Sequence, residues 1–186
     1  MRKLIFAINL TTDGCCDHTK LMPGDDLYEY HGDLLRGVDT LLYGRITYQL
    51  MIPFWPDMAK NQSGDTNAEN EFARAFNSVS NIVVFSQSLN NVEEKNTRII
   101  RTNLVDEILA LKQEQGKDIL TGGVDIPTQL IQAGLVDEYR FVIQPIIVGE
   151  GRRLLDGISL QEKLPLKLAA SKVFPSGIIA LRYVKS

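Results

Sequence analysis

Apolar residues along this chain fall into two rhythms. Short unbroken runs predict strands over 3–10, 38–43, 81–86, 97–101, 119–121 and 135–145, and a terminal pair over 166–174 and 178–184. Between them, apolar positions recur at helical spacing. Leu27, Tyr30, Leu34 and Leu35 predict a helix after Pro23-Gly24, with Asp25 or Asp26 as its cap and Gly37 as its stop. A second helix opens over 46–51 and is interrupted by Pro53-Phe54-Trp55-Pro56; the polar stretch 61–67 reads as a surface loop. Phe72, Ala73 and Phe76 predict a helix over 68–76, and Leu104, Ile108 and Leu111 one over 104–112 that Gly116 stops. A last helix covers 124–133. Pro175-Ser176-Gly177 joins the terminal strands as a hairpin. Strand–helix alternation closed by a hairpin predicts an α/β fold. Its sheet should be mostly parallel but mixed, with helices on both faces and an antiparallel C-terminal edge.

Composition narrows the function more than the fold. At 186 residues the chain suits one domain, residues 1–186, and it is 44% hydrophobic and 23% charged. A net charge of −3 suggests neither nucleic acid nor an anionic membrane as partner. Arg2 and Lys3 precede an apolar run, but Asn9, Thr11 and Asp13 cut it short, so no signal peptide is expected. The absence of an 18-residue apolar run argues against a membrane span, and a cytoplasmic protein is expected. Cys15 and Cys16 are adjacent, which fits a reducing compartment. With Asp17 and His18 they could be drawn as a metal site. Neighbouring ligands on one loop seldom close a tetrahedron, so the segment is read as a polar loop, with no metal.

Two segments carry candidate chemistry. In Leu41-Leu42-Tyr43-Gly44-Arg45-Ile46-Thr47 a strand turns through glycine into a helix bearing Arg and Thr. In Ile119-Leu120-Thr121-Gly122-Gly123-Val124 a second strand does the same through paired glycines. Glycine lets the backbone approach a phosphate, and a helix N-terminus presents free N–H groups. Two such turns at strand ends predict a crevice for a phosphorylated cofactor, although each could be only a tight turn.

The order of these motifs resembles a known superfamily. The chain shows an N-terminal strand ending in Thr-Asp-Gly, then Leu-Leu-Tyr-Gly-Arg-Ile-Thr-Tyr, then a strand ending in Ser86. Thr-Gly-Gly, Gly-Leu-Val-Asp-Glu-Tyr and Pro-Ile-Ile-Val-Gly-Glu-Gly follow. Over nearly its whole length it resembles the dihydrofolate reductase-like superfamily, nearest the branch containing the C-terminal reductase domain of the bifunctional riboflavin-biosynthesis protein. The resemblance implies a dihydrofolate reductase-like fold and an NADPH-dependent reductase of a small pyrimidine- or pterin-like substrate, of the 5-amino-6-(5-phosphoribosylamino)uracil reductase type. It implies that Gly44, Arg45 and Thr47 hold cofactor phosphates and that Ser86 lies near the adenosine 2′-phosphate. Gly122 and Gly123 would lie under the pyrophosphate and nicotinamide, with Asn9 and Leu10 beside the nicotinamide. Asp26, or Asp25, falls near the acidic residue that binds the pterin in dihydrofolate reductases. Asp26 is thus the candidate catalytic residue, with an ordered water as the other proton source. A homodimer pairing through residues 139–148 is implied as well. Two other readings stay open: a nucleotide-binding module without turnover, and a true dihydrofolate reductase.

The remaining residues have plainer readings. Gly149-Glu150-Gly151 with Arg152-Arg153 is either a substrate-phosphate loop or surface arginines, and Asp137-Glu138 is a strand-start feature rather than a catalytic pair. His31 is expected to be solvated or to cap its helix, and Trp55 to pack beneath the second helix, with a place in the pocket wall as the alternative.

Overall fold

The side chains of β1 (Leu4–Thr11) alternate between two buried faces. Leu4, Phe6 and Ile8 face one way and Ile5 and Ala7 the other. That is why the run lacks the polar alternation of a half-exposed strand. In the computed structural model, which describes residues 1–92 and 94–186, β1 lies inside an eight-stranded sheet. Its other strands are β2 (Val38–Gly44), β3 (Asn81–Phe85), β4 (Thr97–Ile100), β5 (Asp118–Thr121), β6 (Glu138–Gln144), β7 (Leu166–Val173) and β8 (Ile179–Lys185). The order is β4-β3-β2-β5-β1-β6-β8-β7, parallel from β4 to β6. β8 then runs antiparallel to β6, and β7 antiparallel to β8.

Helices cover both faces. On one, α1 (Asp25–Arg36) and α4 (Asn67–Asn77) bury Leu34, Leu35, Phe72 and Phe76 against Ile5, Leu41 and Ile82. On the other, α5 (Leu104–Gln113) and α6 (Asp125–Gln132) bury Ile108, Leu111 and Leu130 against Leu4, Phe6 and Leu42. Each such side chain contributes about 1.5–3 kcal/mol by leaving water. Buried charges are paired at the strand starts. Lys112 binds Asp137 at 2.6 Å, and Glu138, 2% exposed, lies between Arg140 (2.6 Å) and Arg182 (2.8 Å).

The structure departs from the sequence reading in several places. The Pro53–Pro56 interruption is the entry to another helix, α3 (Trp55–Asn61), which follows α2 (Arg45–Met51). Proline sits in its first turn, where no N–H partner is lost. The predicted surface loop is correspondingly shorter. Gly24, not an aspartate, occupies the N-cap of α1. Asp25 instead accepts from Thr66 Oγ1 at 2.7 Å, and Asp26 from the Ser176 N–H at 3.1 Å. Ile147 is 76% exposed, whereas Glu138–Gln144 form β6, which is central, as so apolar a run requires, and runs between β1 and β8. Exposed apolar side chains lie beyond it, with Leu168 50% and Val173 70% exposed on the edge strand. Among the described residues no helix is long and apolar enough to cross a membrane.

Candidate functional site

The chain places β2, β3 and β4 on one side of β1, returns to insert β5 between β2 and β1, and then lays β6 on the far side. In parallel sheets, ligands bind outside the carboxyl ends of the strands where the order reverses in this way. A crevice of about 970 Å³ opens there. Asn9 of β1, Gly44 of β2, Phe85 of β3 and Thr121 of β5 reach it.

One half of the crevice is made of backbone turns. Gly123 has φ +83°, and a Cβ added there would lie 2.4 Å from Thr47 Oγ1. Glycine is therefore required twice, by conformation and by space. The N-cap of α2 is Gly44, which offers no side-chain acceptor to the helix N–H groups behind it. Arg45 is exposed at the rim, its Nη1 donating to Gln49 Oε1 at 3.0 Å. Ser86 Oγ accepts from the N–H groups of Leu89 (2.9 Å) and Ser88 (3.2 Å), so it also closes a turn. Arg152 reaches over this half and pairs with Asp125 at 2.5 Å.

The other half is made of side chains from α1, α3 and α4. The ring of Trp55 stands 4.5 Å from Phe72 and 6.0 Å from Tyr28, centroid to centroid. The Tyr28 hydroxyl donates to Glu69 at 3.1 Å, and its pKa is pushed up to about 12, first by burial and then by that carboxylate. On the floor, His31 Nε2 meets Asn9 Oδ1 at 2.7 Å. Burial lowers the His31 pKa from 6.5 to about 4, so the ring is neutral at pH 7.

A loop pair borders the entrance. Asp13 accepts from Thr11 Oγ1 (2.6 Å) and from the N–H groups of Gly149 (2.9 Å) and Val148 (3.3 Å). These bonds, led by Thr11, hold its pKa down at about 2. Cys16 N–H donates to the Arg152 carbonyl at 2.8 Å, and Arg153 binds the Asp13 carbonyl. Arg153 is thus committed to holding the two loops together. Gly151 has φ +88° and passes so close to Cys15 that an added Cβ would lie 2.7 Å from its Sγ. Among the described residues no three His, Cys, Asp or Glu side chains are arranged to hold a metal.

The crevice brings together Asn9, Gly44, Arg45, Thr47, Ser86, Gly122 and Gly123. Two expected residues stand apart. Leu10 follows Asn9 on a strand, points to the opposite face and packs against the core there. Asp26 borders a separate cavity of about 420 Å³ near Pro145, its carboxylate engaged by the hairpin. His31 was given a solvated or capping role by the sequence, and Trp55 a packing role with the pocket wall as its alternative; both line the crevice. A signal for His31 existed: residues 27, 31, 34 and 35 form one helical stripe, and Leu27, Leu34 and Leu35 are its buried members.

Residues 2–180 match the family model described as the RibD C-terminal domain. The uncharacterized protein YyaP of Bacillus subtilis (strain 168) is 36% identical over 152 residues, covering 81% of this chain and 76% of that one. RibD of Acinetobacter baumannii superposes with a TM-score of 0.71 at 14% identity, over all of this chain and 58% of that one. Dihydrofolate reductase from Enterococcus faecalis, solved with NADP(H), superposes with a TM-score of 0.61 at 15% identity, over 99% and 96%. The fold is therefore dihydrofolate reductase-like.

Proposed function

The chain belongs to the RibD C-terminal domain family, and from that premise we propose that it is an NADPH-dependent reductase of a small heterocyclic substrate. One observation carries the reading: the crevice at the switch point joins two glycine turns, an exposed arginine and an aromatic chamber in a single cavity. The added-Cβ geometry at Gly123 supports the fit, because a cofactor chain lying across that turn needs bare backbone. Gly44, Gly122 and Gly123 would admit the phosphates, and Arg45, Thr47 and Ser86 would supply donors around them. NADPH would supply hydride for a carbon–nitrogen double bond or an opened sugar.

This chain's own residues position and shield. Asn9 and His31 fix the floor, while Trp55, Phe72 and Tyr28 wall the chamber against water. Two carboxylates line the crevice among the described residues, and both are engaged: Asp17 by Thr19 and Asp125 by Arg152. With Asp26 held outside by the hairpin, water is the proton source in this reading. The free thiols of Cys15 and Cys16 suit a reducing compartment, the cytoplasm.

Arg45→Ala tests the cofactor. Loss of a charge-assisted contact costs about 1.5–3 kcal/mol, so NADPH should bind roughly tenfold or more weakly, and NADH less so. Equal loss for both, read by fluorescence titration, removes Arg45 from the 2′-phosphate.

The proposal includes a homodimer. Its support is the edge strand β7, whose exposed Leu168 and Val173 would otherwise lie open to pairing. Light scattering should give twice the chain mass at micromolar concentration, and a monomer removes this part.

A further inference from the structure

The end of the chain differs in charge from all the rest. Residues 163–186 contain Lys163, Lys167, Lys172, Arg182 and Lys185 and no Asp or Glu. The preceding 162 residues carry fifteen basic and twenty-three acidic side chains. The terminal hairpin of β7 and β8 is therefore a basic edge on an acidic body.

Part of that charge gathers on the face of the sheet turned toward α1, where Val142 and Ala180 pack with Leu27 and Tyr30. Arg140 of β6 stands directly opposite Arg182 of β8 on this face. Like charges so placed are destabilising unless an anion joins them. Glu138 does so, accepting from Arg140 Nε at 2.6 Å and from Arg182 Nη2 at 2.8 Å. Lys172 of β7 lies opposite Ala180, the next residue along this face from Arg182. Its Nζ is 4.3 Å from the centre of the Phe174 ring. Phe174 meets Tyr30 edge to face at 6.1 Å, and the Tyr30 hydroxyl accepts from Arg140 Nη1 at 3.5 Å.

One carboxylate thus answers three cations, and among the described residues no other carboxylate pairs with any of them. The face keeps two uncompensated positive charges. The Arg182 fork is also one partner short: its Nε is buried and meets no acceptor among the described residues. None of the three cations lines the crevice. Leu168 and Val173, the exposed apolar side chains of the edge, stand opposite Tyr183 and Ile179 and so lie on the other face.

We infer that this face is a second anion site, outside the crevice, at which Arg140, Arg182 and Lys172 bind a phosphate group. A phosphate carries close to two negative charges at pH 7, matching the excess, and its oxygens suit a guanidinium fork. A carboxylate would neutralise only one of the two charges.

NMR titration tests the site. The probes are inorganic phosphate, glycerol 3-phosphate and acetate, with ionic strength held constant by sodium chloride. The backbone amides of residues 170–172 and 180–182, and the Arg182 Nε–H signal, report on this face. Inorganic phosphate should shift them at roughly tenfold lower concentration than acetate. Tighter binding of glycerol 3-phosphate assigns the site to a phosphorylated metabolite, and tighter binding of inorganic phosphate assigns it to the free ion. Lys172→Gln leaves the Glu138 pairs intact and should weaken phosphate by about threefold to fivefold, as for an exposed ion pair. Arg182→Lys keeps a charge beside Glu138 without the fork, and should weaken phosphate about tenfold. The inference is overturned if about 50 mM phosphate shifts none of these signals at matched ionic strength, or if acetate acts at the same concentration. It is also overturned if phosphate shifts only the Gly122 and Gly123 amides of the crevice, or if both variants, folded by circular dichroism, bind phosphate as the parent does.

Discussion

The two halves of the crevice are built on opposite plans. The glycine-turn half is backbone: strand ends, bare turns and helix starts, with arginines at its rim. The α1 half is side chain: rings from three helices, over an amide–imidazole pair on the floor. Backbone sites tolerate many neighbours but no Cβ where the chain must pass. Side-chain sites tolerate backbone variation but depend on each ring and on the protonation of a buried group. Removing an atom harms the second half, whereas adding one harms the first.

The largest effect should come from adding an atom. Gly123→Val places a branched side chain where even a Cβ would lie 2.4 Å from Thr47 Oγ1, at φ +83°. NADPH affinity should fall by about a hundredfold or more, on the order of 3 kcal/mol, with the circular dichroism spectrum retained. Unchanged affinity in a folded variant would mean that the turn is only structural.

An intermediate effect should come from protonating the floor of the other half. His31 has a folded pKa of about 4 against an ordinary 6.5. The folded state therefore binds fewer protons than the unfolded one between these values, and stability falls as pH falls. The loss should begin near pH 6.5 and reach about 2 kcal/mol by pH 4.5. The depressed carboxylates are a separate source of acid sensitivity. Asp13 is held at about 2, and Asp17 and Glu150 are also lowered. Their contribution disappears only as pH falls through the carboxylate range, below the His31 window. Urea midpoints across pH 7 to 4.5 measure it, and His31→Phe should flatten the curve. A parent curve already flat in that window would show that His31 is not shielded.

The smallest effect should come from a residue that belongs to neither half. Asp26→Asn keeps an oxygen for the Ser176 N–H, so stability should change by less than about 1 kcal/mol. Turnover and NADPH affinity should stay as in the parent enzyme. A strong loss of turnover at normal stability would bring Asp26 back into the chemistry and undo its placement at the hairpin.

These differences explain what could be read without coordinates. The turns at Gly44 and Gly122-Gly123 announce themselves because strand, glycine and helix start are contiguous in sequence. The helix that carries Trp55 was missed because prolines on either side of Phe54-Trp55 suggested an interruption, where one of them begins α3; the packing expected of Trp55 itself is present. His31 was read as surface although it shares a helical stripe with buried leucines; its polarity outweighed its position. Leu10 was assigned with Asn9, but neighbouring residues on a strand face opposite ways.

By itself, the sequence determined the local elements: which runs are strands, where glycine turns end them, and that a hairpin closes the chain. Each of these depends on a periodicity or a turn residue acting within a few positions. Only the tertiary structure decided that β5 inserts between β2 and β1, and so brings two distant glycine turns to one crevice. It also decided that Asp26 is engaged by a turn 150 residues away, and that His31 meets Asn9 across 22 residues. Such contacts depend on the sheet order and on how helices cross it, which no local pattern encodes.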